Sequence, residues 1–463
     1  MARESFANKT TAILAMAGSA IGLGNIWRFP YMVGQNGGAA FILVYLLSAI
    51  FICVPIFISE AYIGKRTQLS TFGAFEKLAP GTGWKWVGLL SVVTPVIILS
   101  FYSVVGGWSL SYLFKSLSLS FIDAGATRET HGAVFEALVG NKWAGIGWLT
   151  VFLALNFGVV TLGVSRGIEK FTKITTPILF VLMVAIVFYS LSMPGAKAGV
   201  EYLVKPDFSK INGHVMLSAM GQAFFSLSLG IGTILTYASY MKKEDNLVST
   251  GLYTAVFDLI FALIAGFAIM PAVFAAGIEP GAGPGLIFET LPYIFSTMGR
   301  DFPALSAGVS ILFFTAVLFA ALTSSVSMLE AGVAFYIDQK KMSRGKATAL
   351  VFGLCWVFGS LCCVSTWLFN FCDHLTSDFL MTFGSLLFAV FVGWRLKKAE
   401  VIQEIPRPIY FIVKWIVPAV IVAIFVSDSS GLNVPPVSLS NVPGVSETNV
   451  PPISGTNVPG ISL

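Results

Sequence analysis

The chain has 463 residues, 56% of them hydrophobic and 11% charged, with a net charge of +5 and a mean hydropathy of +0.83. Soluble domains carry about 25% charged residues, so this composition excludes a soluble globular protein and indicates a polytopic membrane protein. The small basic excess does not imply nucleic acid; its distribution along the chain matters more.

The first apolar run, Thr11 to Pro30, is long enough to cross a bilayer, which takes about 20 residues. It leads into a second apolar run rather than a small-residue cleavage site, so no cleavable signal pattern is expected. Gly18, Gly22 and Gly24 lie at its centre, followed by Asn25, Arg28 and Pro30. Each glycine weakens a helix interior by about 0.8–1 kcal/mol relative to alanine. Read alone, Gly18 and Gly22 are a G-x-x-x-G pair for close helix packing. Asn25 and Arg28 favour a second reading, a helix that breaks at membrane depth. Freed backbone there must be buried in protein or line a wet cavity, and a guanidinium in such a segment is usually functional. A dinucleotide-binding reading fails, because this G-x-G sits inside an apolar helix.

Eleven spans are expected, at roughly 11–34, 39–63, 87–119, 144–162, 170–192, 214–240, 248–276, 303–337, 346–367, 373–395 and 408–427. The Gly- and Pro-rich stretch 277–302 holds a short apolar piece, Leu286 to Leu291, expected to dip back towards the protein. Basic residues such as Lys65, Arg66, Arg166, Lys170, Lys340, Lys341, Arg344, Arg395 and Lys397 fall in alternate loops. The positive-inside rule then puts the N-terminus in the cytoplasm and, after eleven spans, the C-terminus outside. The expected home is a plasma (inner) membrane, with lipid as the surrounding partner.

The five cysteines, Cys53, Cys355, Cys362, Cys363 and Cys372, lie in or beside apolar segments, so no disulfide framework is indicated. From Asn433 the chain repeats an eight-residue unit with proline at a fixed position. Proline blocks regular structure, and an extended, inert tail over 428–463 is expected; truncation at Asp428 should leave transport intact.

A second interruption falls in the sixth span, where Gln222 to Gly232 reads QAFFSLSLGIG. Interrupted helices five spans apart suggest two inverted five-helix halves with a site at the midplane. The corresponding division is 1–10 as a cytoplasmic latch, 11–192 and 214–395 as the two halves, 193–213 as an outer loop, and 396–427 as a loop and last span. Asp258, a carboxylate in mid-helix, costs about 2.5–3.5 kcal/mol to insert and needs a partner.

Gly22 to Tyr31 (GLGNIWRFPY), Asn36-Gly37-Gly38, Arg166 to Lys170 (RGIEK), Gln222 to Gly232 and Leu322 to Glu330 resemble the signatures of the neurotransmitter:sodium symporter family, in particular its bacterial amino-acid transporters of the leucine-transporter type. The likeness runs over about residues 5–426 in one order. It implies an all-α fold of eleven transmembrane helices with a 5+5 inverted repeat, helices 1 and 6 being unwound at mid-membrane. The usual twelfth helix is absent and the repeat tail stands in its place, which leaves the oligomeric state open.

The resemblance implies two sodium sites and no other cofactor. One takes the Ala20 carbonyl, Asn25, Ser226 and Asp258, completed by the substrate carboxylate; the other takes the carbonyls of Gly18, Ile21 and Ala320 with the hydroxyls of Thr323 and Ser324. Those hydroxyls have an alternative use, bonding to carbonyls of their own helix, and Asp258 has one as a proton-titrating carboxylate. Where the family binds chloride, Asp258 supplies a fixed negative charge, so no chloride requirement is expected. The implied substrate is a small molecule, a neutral α-amino acid. Its carboxylate meets Leu23, Gly24 and the Tyr102 hydroxyl; its amino group meets Ala20, Phe225, Ser226 and Ser324. Gly22 leaves room where amine transporters of the family carry Asp. Ile98, Tyr102, Phe225, Ser228, Ile231, Ser324 and Met328 would line a mostly apolar side-chain pocket, favouring a hydrophobic or aromatic amino acid.

Gates are implied at Arg28 with Asp373 outside, Asp378 being a second candidate, and at Arg3 with Asp338 inside, helped by Phe6, Ser239 and Tyr240. Glu60 is expected to accept hydrogen bonds from the unwound sixth helix, or to be a buried structural carboxylate, and Gln222 is expected to be a structural polar group. An intramembrane enzyme would need a Ser/His or metal constellation; the histidines, His131, His214 and His374, lie near span ends or in loops. A non-transporting amino-acid sensor of the same fold would present the same site.

Overall fold

The computed structural model describes residues 4–120, 127–280, 283–298 and 303–429. Arg3 and the repeat tail beyond Ser429 lie outside the described residues. Among those described, every regular element is helical. Among the described residues nine helices are long and apolar enough to span a membrane, from Ala39–Thr67 to Arg407–Val426, and a tenth span results if Lys9–Ala20 and Gly24–Gln35, bent by 53°, are counted together. The expected sixth span is two shorter helices, Gly213–Ser226 and Thr233–Ala238.

The first helix starts where Asn8 accepts from the Thr11 N–H at 3.0 Å and Thr11 returns the bond to the Asn8 N–H at 3.3 Å. This reciprocal box satisfies donors that a helix start otherwise leaves open. The helix is enclosed by Val164–Leu191, Leu247–Ala275 and Pro303–Lys340, which explains why it is buried nearly all round. Pro303–Lys340 in turn packs along Lys85–Leu117. The apolar outer surface falls on helices other than the first and sixth, as Phe51, Val181, Phe188 and Val357 show.

The loops are more structured than the sequence suggests. Helices Arg128–Gly140 and Ala196–Val204 occupy stretches expected to be irregular. Within 277–302 the helix forms at Thr290–Met298, a few residues later than expected, while Leu286, Ile287 and Phe288 are buried ahead of it. Phe288 stands edge-on to Trp27 and Trp108, at 6.2 and 5.9 Å, and stacks on Phe135 at 5.2 Å. Such contacts add about 0.5–1.5 kcal/mol per pair beyond burial, so this loop is pinned onto the first and third spans.

Candidate functional site

Both helix breaks follow from local chemistry. The first helix ends at Ala20, Ile21 turns to an extended conformation, and helical winding resumes as a π-helical turn at Gly24–Arg28. Asn25 holds the turn by accepting from the Gly22 N–H at 3.0 Å. Glycine at 22 is required by space: a Cβ there would lie 2.4 Å from the Ser324 hydroxyl. The second break runs from Leu227 to Gly232, with positive φ at Ser228, Gly230 and Gly232. Its Gly230 N–H donates to Glu60 Oε1 at 2.6 Å, and Gln222 Nε2 donates to the Gly24 carbonyl at 3.0 Å, tying one break to the other. Glu60 therefore does accept from the interrupted helix. Among the described residues its second oxygen has no hydrogen-bond partner.

A cavity lies between the breaks. Ala20, Gly22, Leu23, Gly24, Ile98, Tyr102, Phe225, Ser228, Ile231, Ser324 and Met328 all line it, together with Phe101 and Met381, which sequence reasoning missed. The Leu23 N–H points at the Tyr102 hydroxyl, 3.3 Å away. Ser226 is not on this wall; it belongs to the polar cluster behind it. There Asn25 Nδ2 donates to Asp258 Oδ1 at 2.8 Å and to Ser226 Oγ at 2.9 Å, while Ser226 Oγ donates to Asp258 Oδ2 at 2.7 Å. Tyr45 also reaches Ser226 Oγ at 3.2 Å, a neighbour not foreseen. Asp258 is fully buried, and the ion pairs among the described residues all involve other carboxylates. A buried carboxylate calls for a positive partner, and an oxygen set with a single carboxylate fits a hard monovalent cation.

A second oxygen cluster forms where Pro303–Lys340 passes the first break. Thr323 Oγ1 lies 3.3 Å from the Ile21 carbonyl and 3.1 Å from that of Ala320; Ser324 Oγ lies 3.2 Å from Ile21 and 3.1 Å from Ser19. A Cβ on Gly18 would sit 3.5 Å from that of Thr323 and 3.1 Å from Thr176 Oγ1. These hydroxyls bridge to another helix as well as to their own, so the in-helix reading does not exhaust them. The Ser19 carbonyl and Thr176 are additions that only the packing reveals.

On one side the cavity continues past Phe101, Tyr102 and Phe225 into a space walled by Trp27, Arg28, Val105, Phe369 and Asp373. Arg28 and Asp373 face this common space without an ion pair. The guanidinium lies 4.8 Å over the Phe225 ring. Asp373 accepts from Ser377 at 3.1 Å. Asp378 turns instead to His374 at 3.0 Å, a direction consistent with its different helix face.

The opposite side is tightly closed. Phe6 is buried, edge-on to Tyr237 and Tyr240 at 6.0 and 6.1 Å, and its N–H donates to the Tyr240 carbonyl at 2.9 Å. Ala7 N–H donates to Glu169 at 3.0 Å. Asp338 accepts from the Ser70 N–H at 2.6 Å; its expected partner Arg3 is outside the described residues. The centre of this closure was not anticipated. Glu330, fully buried, accepts from the Tyr240 hydroxyl at 2.5 Å and pairs with Arg344 at 2.8 Å, and Arg344 also faces Glu4 at 3.6 Å. Breaking a buried pair costs about 3–5 kcal/mol, whereas exposed pairs contribute about 0–1. Glu330→Gln is therefore expected to lower the apparent melting temperature of the purified chain sharply, while Lys397→Gln, at an exposed 3.9 Å pair with Glu400, changes it little. Equal melting curves for the two variants would remove Glu330 from its place at the centre of the closure.

A helical membrane bundle in which two broken helices meet at a cavity beside oxygen-rich clusters is the architecture of an ion-coupled transporter. The chain belongs to the sodium:neurotransmitter symporter family, which matches residues 3–130 and 140–441. It is a sodium-dependent, multi-pass membrane transporter and not an enzyme. It is 36% identical over 443 residues to the sodium-dependent transporter YhdH of Bacillus subtilis, covering 91% of this chain and 97% of that one. It is 35% identical over 411 residues to MJ1319 of Methanocaldococcus jannaschii, 85% and 82% of the two chains. The fold matches the crystal structure of MhsT in complex with L-phenylalanine with a TM-score of 0.84 at 38% identity, over 92% of this chain and all of that one.

Proposed function

We propose that the chain imports a neutral, hydrophobic or aromatic α-amino acid together with two sodium ions, by alternating access around the cavity between the two breaks. The observation that carries this is the cavity wall. Ile98, Phe101, Tyr102, Phe225, Ile231, Met328 and Met381 make it apolar, while the Leu23–Gly24 turn and Tyr102 offer polar groups at one end. Gly22 leaves that end open to a substrate bringing its own carboxylate, and the N-terminal ends of broken helices favour an anionic group. The likeness to a transporter bound to L-phenylalanine supports the same class.

One sodium sits beside Asp258, Asn25, Ser226, the Ala20 carbonyl and the substrate carboxylate. The other sits among the carbonyls of Gly18, Ile21 and Ala320 and the hydroxyls of Thr323 and Ser324. Asn25 turns its carbonyl from the Gly22 N–H towards the ion when the first site fills. Because Asp258 provides a fixed negative charge, chloride is not required. Arg28 and Asp373 close the outer path by approaching one another over Phe225, and the N-terminal segment, including Arg3 with Asp338, releases the inner one. The chain resides in the plasma (inner) membrane with its N-terminus in the cytoplasm.

The test is uptake by proteoliposomes holding the full chain. An inward sodium gradient is expected to drive accumulation of L-phenylalanine or L-leucine but not L-lysine or L-glutamate. Replacing external chloride by gluconate should leave the rate unchanged, and its collapse would refute the fixed-charge role of Asp258. Sodium-dependent binding without accumulation would favour the sensor reading.

A further inference from the structure

We propose that the groove between the helices Lys142–Thr161 and Val164–Leu191 is a binding site for one phospholipid with an anionic headgroup. The two helices are joined by the tight turn at Leu162 and Gly163. They touch backbone to backbone at Gly167, where a Cβ would lie 2.0 Å from the Val159 carbonyl. This contact makes the floor of an open groove with about 780 Å³ of space. Its apolar walls include Leu155, Leu162 and Ile174, all exposed, and Gly158 opens it further, since nothing lies within 4 Å of a Cβ built there.

Both basic residues of the groove lie on the turn side of Ile174. Arg166 and Lys170 line the groove beside the turn, are exposed, and are absent from the ion pairs of the described residues. Leu155 is six residues before Thr161, hence about 9 Å along the helix at 1.5 Å per residue. Lys170, six residues after Val164, is level with Leu155; its flexible stem carries the ammonium back towards Arg166 at headgroup depth, while Ile174 lies a turn deeper, among the acyl chains. A phosphate diester with attached acyl chains matches both parts, whereas a soluble anion uses only the first. The turn also has an inner use: Val164 N–H donates to Glu4, and Glu169 accepts from Ala7. A lipid held by Arg166 and Lys170 thus lies across the segment that clasps the N-terminal closure.

Native mass spectrometry of the full chain in detergent, with phosphatidylglycerol or phosphatidylcholine of identical acyl chains added, tests the site. The wild type should retain phosphatidylglycerol about thirtyfold better, the scale for two basic residues at an anionic surface. The double variant Arg166→Gln with Lys170→Gln should lose that preference. Gly158→Leu, whose Cβ meets nothing within 4 Å, should lower retention of the same lipid by a similar factor. Lys397→Gln with Lys398→Gln should change neither, and excess glycerol phosphate should not displace the lipid. Equal retention of the two lipids, wild-type behaviour by either groove variant, loss in the control, or displacement by glycerol phosphate would each overturn the proposal.

Discussion

Asp258→Asn is expected to reduce the affinity of the transporter for sodium on the order of 100-fold or more. The carboxylate is fully buried and its hydrogen bonds come from neutral groups, Asn25 and Ser226. Removing one member of a buried charge pair costs about 3–5 kcal/mol, because the remaining charge keeps its desolvation penalty; each 1.4 kcal/mol is a factor of ten. Asparagine preserves the shape and one acceptor, so the cavity and the breaks should survive. The sodium concentration giving half-maximal uptake should therefore rise steeply, with the circular dichroism spectrum unchanged. In this variant, unlike the wild type, external chloride should restore part of the uptake. An unchanged sodium dependence would show that Asp258 does not face the ion.

Gly230→Ala should abolish uptake and destabilise the fold by about 3 kcal/mol or more, combining overpacking with left-handed backbone strain. A Cβ at this position would lie 2.0 Å from the Met381 carbonyl, and its φ is +80. The backbone around it has no freedom to retreat, because its N–H is held by Glu60 and Gly384 approaches its carbonyl from the neighbouring helix. Gly221→Ala, in the continuous part of the same segment, is the contrast. Nothing lies within 4 Å of its Cβ, and alanine in a helix gains about 0.8–1 kcal/mol over glycine. Melting temperatures of the two variants in the same detergent should move in opposite directions. A normal, transporting Gly230→Ala protein would mean that the break is not rigidly required.

The breaks were readable in the chain because glycine clusters and side-chain amides are conspicuous inside apolar runs, and few other local arrangements use them. Asp258 was readable for the same reason. Phe101 and Met381 were not, since an apolar residue on a cavity wall and one in a helix interface have the same chemistry and differ only in packing. The Glu330–Arg344–Tyr240 closure was hidden differently. Arg344 counts as loop charge for topology, and nothing local says that it folds back onto a buried glutamate. Arg28 had two candidate partners, Asp373 and Asp378, and Asp378 turns to its neighbour four residues away, His374. The Arg128–Gly140 and Ala196–Val204 helices have polar faces and modest apolar content, so length and hydropathy did not separate them from loops.

The most direct test is a structure of the full chain determined in sodium with L-phenylalanine. The amino acid should lie between residues 21–23 and 227–232, its carboxylate towards Gly24 and Tyr102 and its ring against Ile98 and Met328, with one cation at Asp258 and another at Thr323. An empty cavity with the amino acid bound elsewhere, or a bound amino acid with neither cation beside it, would contradict the account.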